Sequence, residues 1–465
     1  MNNNTFGHID ASPTKSFFVE MLTRDITLED AILDLLDNCL DGLLRTLDPM
    51  RLKNKTPYKG FRADITIDKD TFAISDNCGG IPWSLHDYAF RMGRPKKRIS
   101  EGLPTVGAYG IGMKRAIFKI GRASLIQTKH KEQAYEIEIS TEWIEQSEGW
   151  DLEAVPGNQS RAEDGTTLIV GTLHKAVSKE FEKVAFIEGL NKKIESHYAL
   201  IIEKGFTVLI NGAAVVPKPI SFYFQKEEKS KQLIRPYLFE TEVDGVSVFV
   251  SVGLREPVPS EEEVSDEQQE IHYSKDLAGW TVICNDRVVL YCNKDEETGW
   301  GEAGVPKYHN QFIAVSGIVE FTANDASKLP TTTTKRGIEH SSSLYAQVKN
   351  RMREGLKLFT DYTNDWKSRG PEAKLQLKDT PRLTLAEIKT SSADLKFTQV
   401  RTGLKGKQYK PSLPSPATVR TEVRVSFTAE RNEVEQVSEF LFGDEYRSPS
   451  EVGSAAFYRV YSESE

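Results

Sequence analysis

The sequence predicts an α+β protein of 465 residues in three parts: an α/β sandwich over 1–200, a second α/β block over 201–368 and a small module over 421–465. Three observations predict this. Helix-spaced apolar positions alternate with strand-like stretches through the first part, and a second set of strands leads into one long helical pattern. Residues 369–420 are rich in Pro, Lys, Thr and Ser and poor in large apolar groups, which reads as a basic flexible linker. A hydrophobic share of 38% supports sizeable cores, and no apolar run reaches membrane-spanning length. The four cysteines show no C-x-x-C spacing and the eight histidines no H-x-x-x-H spacing, which argues against structural zinc or a disulfide framework. Residues 1–13 lack the basic and apolar regions of a signal peptide, so the cytoplasm is the expected location.

Taken in order, Thr27 followed by Asp30 resembles a capping box and opens a helix to about Leu47. Before it, the run 12–26 carries Phe17, Phe18, Met21 and Leu22. Residues 62–68 and 71–76 alternate as a strand hairpin, and 84–90 reads as a short helix. Residues 91–109 are basic, aperiodic and Gly/Pro-bearing, so a mobile loop is expected, followed by a helix over 111–120. Strands are expected at 122–128, 134–140 and 165–171, then a helix near 177–197. The second block carries strands at 206–210, 245–253, 279–291 and 312–321, an acidic loop at 260–270 and a helix over 342–367. The last module reads as a strand (422–427), a helix (432–442) and a short apolar end.

Three segments hold the chemistry. Asp34, Asn38 and Asp41 are spaced i, i+4, i+7 and share one helical face, while Ile32, Leu35, Leu36, Leu40 and Leu43 supply the buried remainder. A carboxylate and an amide one turn apart can hold a hard cation through oxygen and orient a water, although a solvated helix face shows the same spacing. Asp76 ends an apolar strand before Gly79-Gly80; it can accept a hydrogen bond from an exocyclic amine, and a plain hairpin turn is the alternative. Gly107, Gly110 and Gly112 lead into a helix whose first N–H groups can bind phosphate beside Lys114 and Arg115. No Walker motif occurs, and no clear strand precedes these glycines as a dinucleotide fingerprint requires.

In this order and spacing the segments resemble the GHKL ATPases: gyrase B, MutL, MORC proteins, the ninety-kilodalton heat-shock chaperones and histidine kinases. Asp-Asn within LLDNCLDG matches the N box, DNCGG the D-x-G-x-G box with Cys78 in place of the middle Gly, and GAYGIG the lid box; Asp-Gly-Thr-Thr at 164–167 matches the later GT element. The resemblance implies a Bergerat-type sandwich that binds ATP with Mg²⁺. Asn38 would coordinate the metal and Asp76 would read the adenine amine. Gly110, Gly112 and Lys114 would cradle phosphates under a lid at 91–109. Further nucleotide contacts are expected from Asp41, Gly80, Ile81, Gly107, Tyr109, Ile111, Met113, Thr166 and Thr167. Asp34 aligns with the family's general base, usually Glu, and is one methylene shorter, so slow hydrolysis is expected.

LPTTTTKRG at 329–337 resembles the loop by which gyrase B and MutL type proteins extend a Lys from a transducer domain to the γ-phosphate; Lys335 is that candidate, with Thr333 and Thr334 beside it. The nearest likeness is to bacterial MORC- and MutL-like ATPases, including those of restriction and phage-defence loci. It implies a nucleotide-gated clamp that forms a homodimer on ATP binding, with 12–26 either covering the neighbouring subunit's site or packing on its own domain. The target stays open between two classes. The net charge is −8, yet 367–424 holds 13 Lys/Arg against 5 Asp/Glu, and Arg401, Lys405, Lys407 and Lys410 suit the phosphate backbone of DNA. Alternatively the chain is an ATP-dependent switch or scaffold with little turnover, whose acidic loop and last module recruit a protein effector. No membrane partner is expected.

Overall fold

Two capped helices lead the described chain. The Thr14 hydroxyl accepts from the Phe17 N–H at α1 (Lys15–Arg24), and that of Thr27 accepts from the Asp30 N–H at 3.1 Å, starting α2 (Leu28–Thr46). A computed structural model describes residues 14–48, 50–91, 111–146, 149–218, 220–226, 232–260, 263–264, 277–332, 335–416, 425–426, 428–444 and 447–464. The chain divides after Ser415 into two compact units.

The first unit holds two lobes. In the first lobe β1 (Arg62–Ile67) and β2 (Phe72–Asp76) form the expected hairpin, with Ile65 opposite Ile74. The short α3 (His86–Phe90) follows, and α4 (Gly112–Ile120) runs directly into β3 (Gly121–His130). Next come β4 (Gln133–Ile139), α5 (Thr141–Glu145), β5 (Ala154–Pro156) and β6 (Gly165–Leu173). The single helix expected near 177–197 is two, α6 (Lys175–Phe181) and α7 (Val184–His197), because Lys183 takes an extended backbone (φ −85°, ψ 123°) between them. After α8 (Ala199–Glu203), β7 (Thr207–Ile210) and β8 (Ala213–Ala214) complete an eight-stranded sheet in the order β5-β4-β3-β6-β2-β1-β7-β8. The apolar stripe of α2 packs with α4 and α7 on one face of this sheet, and Leu33, Leu36, Leu43, Phe72, Val170 and Leu190 are fully buried there.

The second lobe is built on a seven-stranded sheet. After β9 (Ser221–Tyr223) come β10 (Tyr237–Val243), which the sequence reading missed, and β11 (Val246–Leu254). The single strand expected at 279–291 is a hairpin, β12 (Gly279–Cys284) and β13 (Arg287–Asn293). Asn285 and Asp286 form its turn, both with positive φ (46° and 65°), as a two-residue hairpin requires. β14 (Val315–Ala323) lies parallel to β12, and the long helix Ser343–Trp366 covers one face through Val348, Met352, Leu356 and Phe359.

The linker expected at 369–420 is folded as far as the described chain reaches. It forms helices Gly370–Gln376 and Leu385–Ser391, β15 (Arg382–Thr384) on β9, and β16 (Thr398–Val400) with β17 (Gly406–Tyr409) on the edge of β10. Leu377, Leu383, Leu385, Ile388 and Leu404 are buried, although Leu375 is 67% exposed. Composition suggested disorder, but sheet edges supply backbone hydrogen bonds that polar side chains do not disturb. The second unit holds helices Arg431–Phe442, as expected, and Pro449–Ser464. The strand expected at 422–427 lies largely outside the described residues, and Val425 and Ser426 are not in a strand.

Candidate functional site

Helix α2 presents one side of a pocket in the first lobe. Asp34, Asn38 and Asp41 line it from α2, Asp76 and Ile74 from β2, Gly80 and Ile81 from the turn that follows, and Thr166 and Leu168 from β6. Ile111, Gly112, Met113, Lys114 and Arg115 close another wall, and Lys335 enters from the second lobe. Four segments of the first lobe and a lysine 298 residues beyond Asp37 therefore share one cavity.

Asp76 ends β2 where the chain must turn. Gly79 and Gly80 both take positive φ (90° and 66°), and a Cβ on Gly80 would lie 2.0 Å from the Lys129 carbonyl oxygen. Gly165 plays the matching part: its own Cβ would lie 2.0 Å from the Asp76 carbonyl oxygen, so only glycine lets β6 approach. The closeness lets Asp76 Oδ1 accept N–H bonds from Cys78 at 2.7 Å and Thr166 at 3.3 Å. Asp76 is 9% exposed, and burial raises its pKa above the ordinary carboxylate range despite these bonds. Cys78 supplies its backbone N–H, which any residue would. Thr166 lines the pocket, whereas Thr167 bonds Ser75 and Arg161 and is not among the lining residues.

The opposite end is built from charge. Asn38 is exposed toward the cavity, one turn beyond the buried Asp34. Arg115 Nη2 donates to Asp34 Oδ2 in an ion pair. Burial raises the Asp34 pKa, with Lys335 and Arg115 opposing it. The nine-residue α4 begins at Gly112 with no side-chain cap, leaving its first N–H groups available to an anion. Lys114 Nζ donates to the Ala89 carbonyl at 2.8 Å. Lys335 Nζ donates to Asp37 Oδ2 at 3.0 Å from a backbone with φ 57°, an uncommon conformation for a non-glycine residue. Burial works against the Lys335 charge, but Asp37, Asp41 and Asp34 outweigh it and raise its pKa.

Gly107, Tyr109, Gly110, Thr333, Thr334 and nearly all of the lid expected at 91–109 lie outside the described residues. The described part of the run 12–26, from Thr14 on, packs on its own lobe: Lys15 is buried with Nζ bonded to the Trp143 carbonyl at 2.9 Å and set 4.0 Å over its ring, while Phe17 and Met21 stay exposed. The sequence reading missed Asp37 as a functional group, although it stands beside Asn38. It also gave Arg115 no partner and left Arg287 and Tyr198 unremarked. Asp37 is fully buried and held by cations, and only the fold says where those cations come from.

Residues 26–169 match the family described as "Histidine kinase-, DNA gyrase B-, and HSP90-like ATPase". A stretch of 102 residues is 32% identical to the human MORC family CW-type zinc finger protein 1, covering 22% of this chain and 9% of that protein. The chain thus matches under a tenth of that relative's length. The matched span holds every pocket residue of the first lobe, from Asp34 to Leu168, so the likeness to the GHKL ATPases covers residues 26–169 and the first-lobe side of the pocket.

Proposed function

We propose that the chain binds ATP with Mg²⁺ in this pocket, hydrolyses it slowly, and passes the state of the terminal phosphate to a transducer-like second lobe through Lys335. The observation that carries this reading is the seating of Lys335, from the second lobe, in the cavity that also holds Asn38, Asp76 and Gly112. Ile74 and Leu168 flank Asp76 and suit a flat base, and Asp76 would accept the adenine amine. The uncapped start of α4 and Lys114 face the phosphates. The donor set fits Mg²⁺, which needs few protein ligands beside phosphate and water. Asn38 would hold it, with Asp34 and Asp41 a turn to either side; when bound, the ion neutralises phosphate charge. Asp34 would orient and deprotonate the attacking water. Its short side chain and its ion pair with Arg115 account for slow turnover.

The working cycle is a nucleotide-gated clamp in which two subunits meet on ATP binding. The exposed Phe17 and Met21 of α1 are available to a partner subunit. We assign the cycle to DNA transactions, including phage defence, because Arg401, Lys405, Lys407 and Lys410 are all exposed on or beside the ordered edge of the second lobe. The Asp34–Arg115 pair favours a second reading, a switch or scaffold with little turnover that recruits a protein effector. Titration with a nonhydrolysable ATP analogue, run beside phosphate release and duplex DNA binding at low and high salt, separates them. Nucleotide binding with measurable release and salt-sensitive DNA binding supports the clamp. Nucleotide binding with neither supports the switch. Failure to bind nucleotide overturns both.

A further inference from the structure

Asp37 stands one residue before Asn38 but is not among the residues lining the pocket, and it is fully buried. Its two oxygens have different company. Oδ1 lies 2.9 Å from Arg287 Nε and 2.6 Å from the Tyr198 hydroxyl, and Oδ2 lies 3.0 Å from Lys335 Nζ. Arg287 is held from several sides: Nη1 donates to the His197 and Val288 carbonyls, both at 3.0 Å, and its guanidinium lies 4.1 Å over the Tyr198 ring. Lys335 is a flexible side chain on a strained turn residue at the pocket wall. If Lys335 leaves, Asp37 still keeps a cation and a hydroxyl donor, so departure does not strand a buried charge.

We propose, taking Lys335 as the phosphate sensor, that Asp37 is a positioning residue that latches Lys335 in the nucleotide-free state and yields it to the terminal phosphate of ATP, keeping Arg287 and Tyr198 throughout. The preference for ATP over ADP is then a difference between two ion pairs, Lys335 with phosphate and Lys335 with Asp37. Weakening the latch widens that preference, and strengthening it narrows the preference. ADP, which offers no γ-phosphate to Lys335, is indifferent to either change.

Calorimetric affinities for a nonhydrolysable ATP analogue and for ADP test this in the full chain. Asp37→Asn is expected to widen the ATP/ADP affinity ratio by about tenfold with ADP affinity unchanged. Tyr198→Phe removes a donor that competes for the Asp37 charge, so it narrows the ratio by about two- to threefold. Because Tyr198→Phe is nearly isosteric, it decides the matter should Asp37→Asn fail to fold. In a Lys335→Met background neither change moves the ratio. A ratio that collapses in Lys335→Met but stays at the wild-type value in both Asp37→Asn and Tyr198→Phe defeats the latch alone. A wild-type ratio in Lys335→Met defeats the sensor reading, and the latch with it.

Discussion

Asp76 and Asp37 are both buried carboxylates at the ends of one site, and they are satisfied in opposite ways. Asp76 accepts from neutral backbone N–H groups, which do not offset its burial, so its pKa is raised. Asp37 suffers burial as well, but Lys335 and Arg287 overcome it and its pKa is lowered. Neutral partners leave a carboxylate in want of a further donor, which an adenine amine would supply. Cationic partners make a carboxylate a fixed anchor between lobes. The Asp76 end is thus made by backbone geometry within one lobe, and the Asp37 end by charges brought from two.

Four experiments can break or sharpen this contrast. Asp34 should show the largest effect: Asp34→Ala is expected to retain nucleotide while phosphate release falls by about a hundredfold or more. Unchanged release would remove Asp34 as the base. Asp76→Asn should weaken the ATP analogue and ADP alike by about thirtyfold or more, the size of a lost charge-assisted hydrogen bond. A loss confined to ATP would place Asp76 at the wrong end of the nucleotide.

Thermal melting of the nucleotide-free chain between about pH 4 and pH 8 sets the two carboxylates directly against each other. The lowered Asp37 pKa gives stability that is present above the unfolded carboxylate value and lost as pH falls through the folded one. Asp37→Asn is therefore expected to cost about 3 kcal/mol at neutral pH, with the deficit closing in acid. The raised Asp76 pKa has the opposite sign: its contribution is favourable below the unfolded value and disappears as pH rises through the folded one. Asp76→Asn should therefore melt about 1–3 °C higher than wild type at neutral pH and converge with it in acid. The same sign for both variants would end the comparison. The smallest effect belongs to Cys78→Gly, which leaves the N–H on Asp76 in place; nucleotide affinity should change by less than about threefold, while the emptied thiol site lowers stability by about 1–2 kcal/mol. A larger loss of affinity would show that the Cys78 side chain itself shapes the base site.

The two ends also differ in how far they could be read from the chain alone. The Asp76 end was legible because glycine leaves a signature wherever backbone must turn with positive φ or come close, as at Gly79, Gly80 and Gly165. Lys335 was legible only through its resemblance to a known loop. Arg287 was not legible: the hairpin that carries it was read as one continuous strand, because the Asn285-Asp286 turn sits between two apolar runs. The order of elements in the first lobe followed from periodicity, whereas folding of the supposed linker did not, since edge-strand pairing depends on backbone groups that composition does not record.

By itself the sequence determined the capped α2, the hairpin that ends at Asp76 and the glycine positions around it, because caps, alternation and steric exclusion act over a few residues. Only the tertiary structure decided that Asp37 belongs to Arg287 and Lys335, and that Asp34 belongs to Arg115. Coulomb attraction inside a protein depends on distance through space and on exclusion of water, and neither quantity is written along the chain.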